Sequence, residues 1–227
     1  MSAAPRRRLL LPEMEGRSAR WYARVRGTPT ARAETRRDAA RLAGGLADGA
    51  SVLEVAPGPG YLAIEIAQLG QFRITGLDIS RTMVEIATEN ALNMGVNVEF
   101  RQGDASEMPF DDACFDLIVC QAAFKNFRQP LSALNQMHRV LRAGGRAVIQ
   151  DMSRDASNAE IKREVAGMGL SPLNRVMTRL ILSTTLRRRS YSPARFRALV
   201  AQSAFASCEI STAGIGLEVR LTKGTQP

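Results

Sequence analysis

The sequence predicts one α/β domain: a doubly wound, mostly parallel seven-stranded sheet with a terminal antiparallel hairpin and a helical N-terminal cap. Three observations carry this expectation. Apolar runs of strand length at residues 52–55, 72–77, 96–101, 115–120 and 146–150 alternate with segments whose apolar residues recur at helical spacing. The first run passes through a proline and glycine elbow (residues 56–60) straight into helix-period Leu62, Ile64, Ile66 and Ala67, which is a strand, turn and helix unit. The tail adds two more strand-like runs, 208–212 and 217–222, around Gly214 and Gly216, so a hairpin contributes one antiparallel strand to an otherwise parallel sheet.

Taken in order, residues 1–15 hold Pro5, Pro12 and an arginine triplet without periodicity and read as a loose terminus. Residues 16–46 read as two short helices broken at Gly27 and Pro29, with Trp21 and Tyr22 as packing aromatics. The division is therefore 1–46, a flexible terminus and helical cap, and 47–227, the main domain, with a helical insert at about 156–190. The second strand ends at Asp78, and Ser80 opens the following helix. Residues 131–141 form an amphipathic helix stopped by Gly144 and Gly145, and the sole histidine, His138, is structural, its charge favoured in that helix's last turn. The insert is equally a lid or a core and dimer surface, so a homodimer stays open. A helix capped by Ser192 follows.

A chain of 227 residues builds one well-buried domain. Three scattered cysteines (Cys114, Cys120, Cys208) make no disulfide framework and no zinc pattern, so no metal is expected and a reducing cytoplasm suits the chain. No apolar run approaches membrane-spanning length, and Leu9 to Leu11 after the first arginines are too few for a secretion signal. The net charge of +9 gathers in arginine clusters and reads first as a solvated basic face, with nucleic acid a disfavoured partner.

The elbow calls for a cofactor. Gly58 and Gly60 let a ligand lie against the main chain at a helix N-terminus. Gly58, Gly60 and Ala63 fit a dinucleotide fingerprint, and Asp78 follows about 20 residues on, where a ribose-binding acid belongs. NAD is one reading. Glu54, at the end of the first strand, favours a methyl donor instead, because its carboxylate would meet an ammonium but repel a pyrophosphate.

The ordered set of residues 54–60, Asp78, 103–105, 110–119 and 140–145 resembles the class I S-adenosylmethionine-dependent methyltransferases. Residues 121–151 are similar to the ubiquinone and menaquinone biosynthesis C-methyltransferases within that class. There Phe124, Lys125 and Asn126 stand where the subgroup has an aromatic or Gly before Arg-Asn, and residues 139–145 stand at its R-V-L-K-P-G-G, with Ala143 in place of Pro. The resemblance implies S-adenosyl-L-methionine as cofactor. It places Glu54 on the ammonium, Ala56, Gly58 and Gly60 in the loop, Asp78 on the ribose hydroxyls, Ile79 and Met83 as adenine walls, Asp104 and Ala105 on the adenine edge, and Gln121 at the mouth of the fourth strand. Where the family has the loop's first glycine this chain has Ala56, which is tolerable if it keeps a negative φ, and two prolines stiffen the loop.

The activity so implied is methyl transfer to a small aromatic, quinone-like or secondary-metabolite acceptor. A base is optional for an activated methyl group, and Tyr22, Lys125, Asp151 and Tyr191 are within reach of the strand carboxyl ends. The alternatives are an RNA methyltransferase using the basic surface and an NAD(P)-binding oxidoreductase. The second lacks a hydride-transfer constellation such as Tyr-x-x-x-Lys, and no Asn-Pro-Pro-Tyr for planar nitrogens follows the fourth strand.

Overall fold

Five consecutive buried residues, Ser51–Val55, form β1, and the sheet grows outward from it on both sides. The computed structural model describes residues 14–225, so the expected loose terminus lies, up to residue 13, outside the described residues. Ahead of β1 come α1 (Gly16–Arg26) and α2 (Pro29–Ala43), parted at Gly27 as the break predicts. After it run α3 (Tyr61–Ala67), β2 (Arg73–Asp78), α4 (Arg81–Asn93), β3 (Glu99–Gln102), β4 (Phe115–Gln121), α5 (Pro130–Val140) and β5 (Leu141–Met152). The insert supplies α6 (Asn158–Gly167) and a long helix made of α7 (Pro172–Ile181), a π-helical turn (Leu182–Leu186) and α8 (Arg187–Arg189). Then follow α9 (Pro193–Val200), β6 (Glu209–Ala213) and β7 (Gly216–Thr222).

The strand order is β3-β2-β1-β4-β5-β7-β6, with β7 antiparallel to both neighbours and every other pairing parallel. The chain steps from β1 outward to β2 and β3, then returns to β4 on the opposite side of β1. That reversal opens a crevice beyond the carboxyl ends of β1 and β4, the place where such sheets bind ligands. The middles of the central strands are largely apolar because helices cover both faces. On one face Ala39 and Leu42 of α2 and Leu62 and Ile66 of α3 pack on Val52, Ile74, Val119 and Val148. On the other, Leu134 and Met137 of α5 with Phe196 and Val200 of α9 pack on Leu53, Ile118, Cys120 and Ile149. The cap helix α2 is tied to α3 by Arg32 and Arg36, which donate to the two carboxylate oxygens of buried Glu65 at 2.7 and 3.1 Å.

Several expectations are corrected. Helix α5 ends at Val140 and Leu141 pairs at once with Phe115, so the glycine pair does not stop it. Gly144 and Gly145 lie instead in a bulge of β5, where the pairing with β4 jumps from Leu141 to Arg146 and Gly144, at φ 76°, makes the turn. The third strand is shorter than predicted, because residues 96–98 leave α4 before pairing with β2 begins at Glu99. Trp21 is 60% exposed: α1 turns Ala19 and Ala23 inward and Trp21 to solvent. His138 is structural for another reason than its charge. Its ring stands edge-on to Phe205, and burial with nearby Lys223 holds its pKa below the ordinary value.

Candidate cofactor site

The site is built where β1 and β2 end side by side. Glu54 is the penultimate residue of β1, 3% exposed, and its Oε2 accepts the N–H of Ala63 in α3 at 2.8 Å. Its other oxygen has no hydrogen-bond partner among the described residues. Burial pushes this carboxyl up to about 8, and the nearby Asp78 charge acts in the same direction, against the Ala63 N–H and the Arg26 charge that hold it down. A buried acid with an unused oxygen is suited to a cationic ligand group.

The loop after β1 is held from several sides. Ala56 N–H donates to Leu77 O at 2.8 Å, and Asn90 of α4 donates from its side-chain amide to Pro59 O at 2.9 Å. Gly60, at φ 77°, caps α3, and a Cβ there would stand 2.7 Å from the Phe100 ring and 2.8 Å from Ala87, so no larger residue fits. Gly58 also has positive φ, and its N–H donates to Asp78 Oδ2 at 2.9 Å. The expectation of a negative φ at Ala56 is wrong: its φ is 56°. The left-handed angle turns the chain out of β1 into the loop directly after the last ladder bond, and the chain carries the strain of an alanine there. Ala56→Gly should therefore stabilise the fold by about 1 kcal/mol, read as a higher urea midpoint at unchanged slope.

Asp78 ends β2 at 6% exposure, with Oδ1 accepting Ser80 N–H and Oδ2 accepting Gly58 N–H, each at 2.9 Å. Burial raises its pKa, and those two N–H groups oppose the rise. Each oxygen keeps a second lone pair for a ligand. Ser80 caps α4 as predicted, accepting Met83 N–H at 3.0 Å. Of the two expected adenine walls, Ile79 is exposed at the rim and Met83 is buried beneath it. Asp104 accepts Ser106 N–H and hydroxyl on Oδ1, leaving Oδ2 without a partner among the described residues, and Ala105 is half-buried beside it. Gln121 is engaged elsewhere, its amide donating to Asp38 of α2 and to Gln150 of β5.

Of the four base candidates, Tyr22 comes nearest the loop. A Cβ on Gly58 would lie 3.7 Å from its ring, and burial raises its phenol pKa. The helix carrying it is fastened to the start of α4 by Glu15, whose carboxylate accepts the N–H groups of Arg81 at 2.8 Å and Thr82 at 3.1 Å, and by Met14 O, which accepts the Ser80 hydroxyl. Lys125 and Asp151, at the ends of β4 and β5, form a buried ion pair at 2.7 Å. Tyr191 is packed among Phe124, Phe196 and Arg195. The capping by Glu15 and the Asn90 strut escape sequence reading, since their partners lie 66 and 31 positions away. A shallow cleft of about 360 Å³ lies beside Asp151, Gln150, Arg41 and Glu218 at the start of β7.

Residues 46–181 match the family model described as a methyltransferase domain. The chain belongs to the methyltransferase domain family. That match displaces the dinucleotide reading of the elbow. Over 107 residues this methyltransferase domain is 37% identical to a demethylmenaquinone methyltransferase of Deinococcus radiodurans, covering 47% of this chain and 44% of that protein. Over 113 residues it is 34% identical to a ubiquinone/menaquinone biosynthesis C-methyltransferase of Coxiella burnetii, covering 48% and 45%. The aligned stretches thus span less than half the length of these curated relatives. Among solved structures, an S-adenosylmethionine-dependent methyltransferase from Aquifex aeolicus superposes with a TM-score of 0.64 at 17% identity, over 89% of this chain and 97% of that one. A phosphoethanolamine N-methyltransferase of Haemonchus contortus, in complex with S-adenosylhomocysteine, superposes with a TM-score of 0.69 at 14% identity, over 92% and 58%. These likenesses establish the methyltransferase fold.

Proposed function

We propose that the chain transfers a methyl group from S-adenosyl-L-methionine to a small aromatic or quinone-like acceptor. The observation that carries the cofactor half is Glu54, a buried carboxyl with one unused oxygen at the end of β1, suited to an ammonium group. Asp78 would receive the ribose hydroxyls on its remaining lone pairs, and the free Oδ2 of Asp104 would accept the adenine amino group. Ile79 and Met83 would flank the base, and Ala105 would offer its N–H to a ring nitrogen. Ala56, Gly58 and Gly60 supply a backbone surface with little side chain in the way. Gln121, tied to Asp38, steadies the mouth of β4 rather than reaching the ligand.

When bound, the cofactor supplies a methyl group already activated by a sulfonium. The chain's own residues then align the two reactants and keep water out, with Tyr22 and α1 covering the loop. No dedicated base is assigned. Tyr22 is a neutral hydrogen-bond donor at ordinary pH because burial raises its pKa, and Lys125 and Asp151 neutralise each other. The acceptor half draws on the quinone-related names of the relatives and on the cleft at the end of β5. Incubation with methyl-labelled cofactor and a panel of demethylated quinols should move label into the quinol. Label entering bulk RNA instead, or no acceptor, would contradict the assignment.

The raised Glu54 pKa sets a pH dependence. A ligand ammonium needs the carboxylate, so binding expels a proton below about pH 8, and affinity should rise about tenfold per pH unit up to that point. In the free chain the sign is opposite. The folded state holds the Glu54 proton above the ordinary 4.5, so this contribution to stability is complete below 4.5 and is lost as pH rises through about 8. Glu54→Gln should flatten both profiles, as measured by titration and urea unfolding across that range.

A further inference from the structure

The helix α7 is exposed on nearly every side, with Thr178 its one half-buried residue, and it carries five exposed large apolar side chains. Leu173 is 73% exposed, Val176 67%, Leu180 60%, Met177 53% and Ile181 47%. At about 100° per residue these five fall within one arc of about 140°, so they form a continuous apolar stripe rather than scattered exceptions. Arg179 lies toward one edge of that stripe, and Arg175 lies on the opposite face of the helix. Between Val165 and Cys208 the chain has seven arginines and no aspartate or glutamate. Leu170 ahead of the helix and Leu182 and Leu186 of the π turn beyond it pack with Ile161, Val165 and Met152.

We propose that this stripe docks on the surface of an anionic lipid bilayer, with α7 lying in the plane of the interface. An apolar face backed by arginine and free of acid is the composition that buries its side chains at the acyl boundary while its cations meet lipid phosphates. A second copy of the chain fits less well, because pairing two such faces would bring two acid-free arginine sets together. A nucleic acid would use the arginines but leave five aliphatic side chains in water. The insert leaves the sheet at Met152, the carboxyl end of β5, so docking there sets the rim with the Asp151 cleft against the membrane. An acceptor dissolved in the bilayer would then reach the cleft without crossing water. The docking itself is independent of the methyl-transfer reading.

The test is co-sedimentation of the 227-residue chain with vesicles of phosphatidylcholine alone and of phosphatidylcholine mixed with phosphatidylglycerol, at low and high salt. The chain should sediment with the mixed vesicles, less so at high salt. The triple variant L173S/V176S/L180S should lose at least about tenfold in partitioning. The variant R179Q should lose about fivefold, and part of the preference for anionic lipid. Thermal midpoints should change little in both, because these side chains are mostly exposed. A chain that stays in the supernatant with both vesicle types overturns the proposal, as does a triple variant that sediments like the parent. So does a dimer in sedimentation velocity that the triple variant dissociates without any vesicle binding, which would make the stripe a subunit contact.

Discussion

Asp78→Ala should weaken binding of S-adenosylmethionine by at least about a hundredfold while the sheet stays folded. Two hydrogen bonds from ribose hydroxyls to one carboxylate are charge-assisted, and each contributes about 1.5–3 kcal/mol, so losing both costs about 3 kcal/mol or more. About 3 kcal/mol is already more than a hundredfold in affinity. The same side chain also fastens the loop, through Gly58 N–H, and the start of α4, through Ser80 N–H. Its removal therefore loosens the backbone on which the rest of the ligand would lie. Equilibrium dialysis with labelled cofactor measures the loss, and far-ultraviolet circular dichroism checks the fold. A variant that binds within a few-fold of the parent would remove Asp78 from the ribose.

Lys125→Met should destabilise the fold by about 3–5 kcal/mol, the usual result of stranding one charge of a buried pair. Lys125 Nζ meets Asp151 Oδ1 at 2.7 Å and also donates to Ala122 O, while Lys125 N–H donates to Asp151 Oδ2 at 2.9 Å. Both side chains are nearly excluded from water, at 7% and 5% exposure. Without the ammonium, Asp151 keeps only backbone donors, from Lys125 and Met152. For a chain of this size the loss corresponds to a fall of about ten degrees or more in Tm. Lys125→Met combined with Asp151→Leu should cost much less than the sum of the two single changes, since the pair is removed together. Additive losses in urea unfolding would mean that the two groups do not depend on each other.

Reading these residues in order recovers the sheet because its cause is local. Each central strand carries an apolar run, and most turns into a helix are marked by glycine or by a capping serine such as Ser80 or Ser192. Glu54, Gly58, Gly60 and Asp78 were legible for the same reason, since a ligand at strand ends demands particular residues at fixed spacing. What escaped depends on partners far along the chain or on backbone angles that composition does not encode. Ala56 is an ordinary residue in a left-handed conformation, set by the abrupt turn of the chain out of β1. The pairing of Lys125 with Asp151 turned two base candidates into one neutral unit. Gln121 faces α2 because its position in β4 shares a face with Val119 and Leu117, an orientation fixed by strand register. The aliphatic residues of α7 look like core in sequence, and only the fold shows that they stay largely exposed among the described residues.

Calorimetric titration of the chain with S-adenosylmethionine and S-adenosylhomocysteine, with NADH as control, tests the central claim most directly. The Glu54, loop and Asp78 arrangement predicts binding of both adenosyl ligands in the micromolar range, about 8 kcal/mol, and no heat from NADH. Silence from both adenosyl ligands, or binding of NADH in their place, would contradict it.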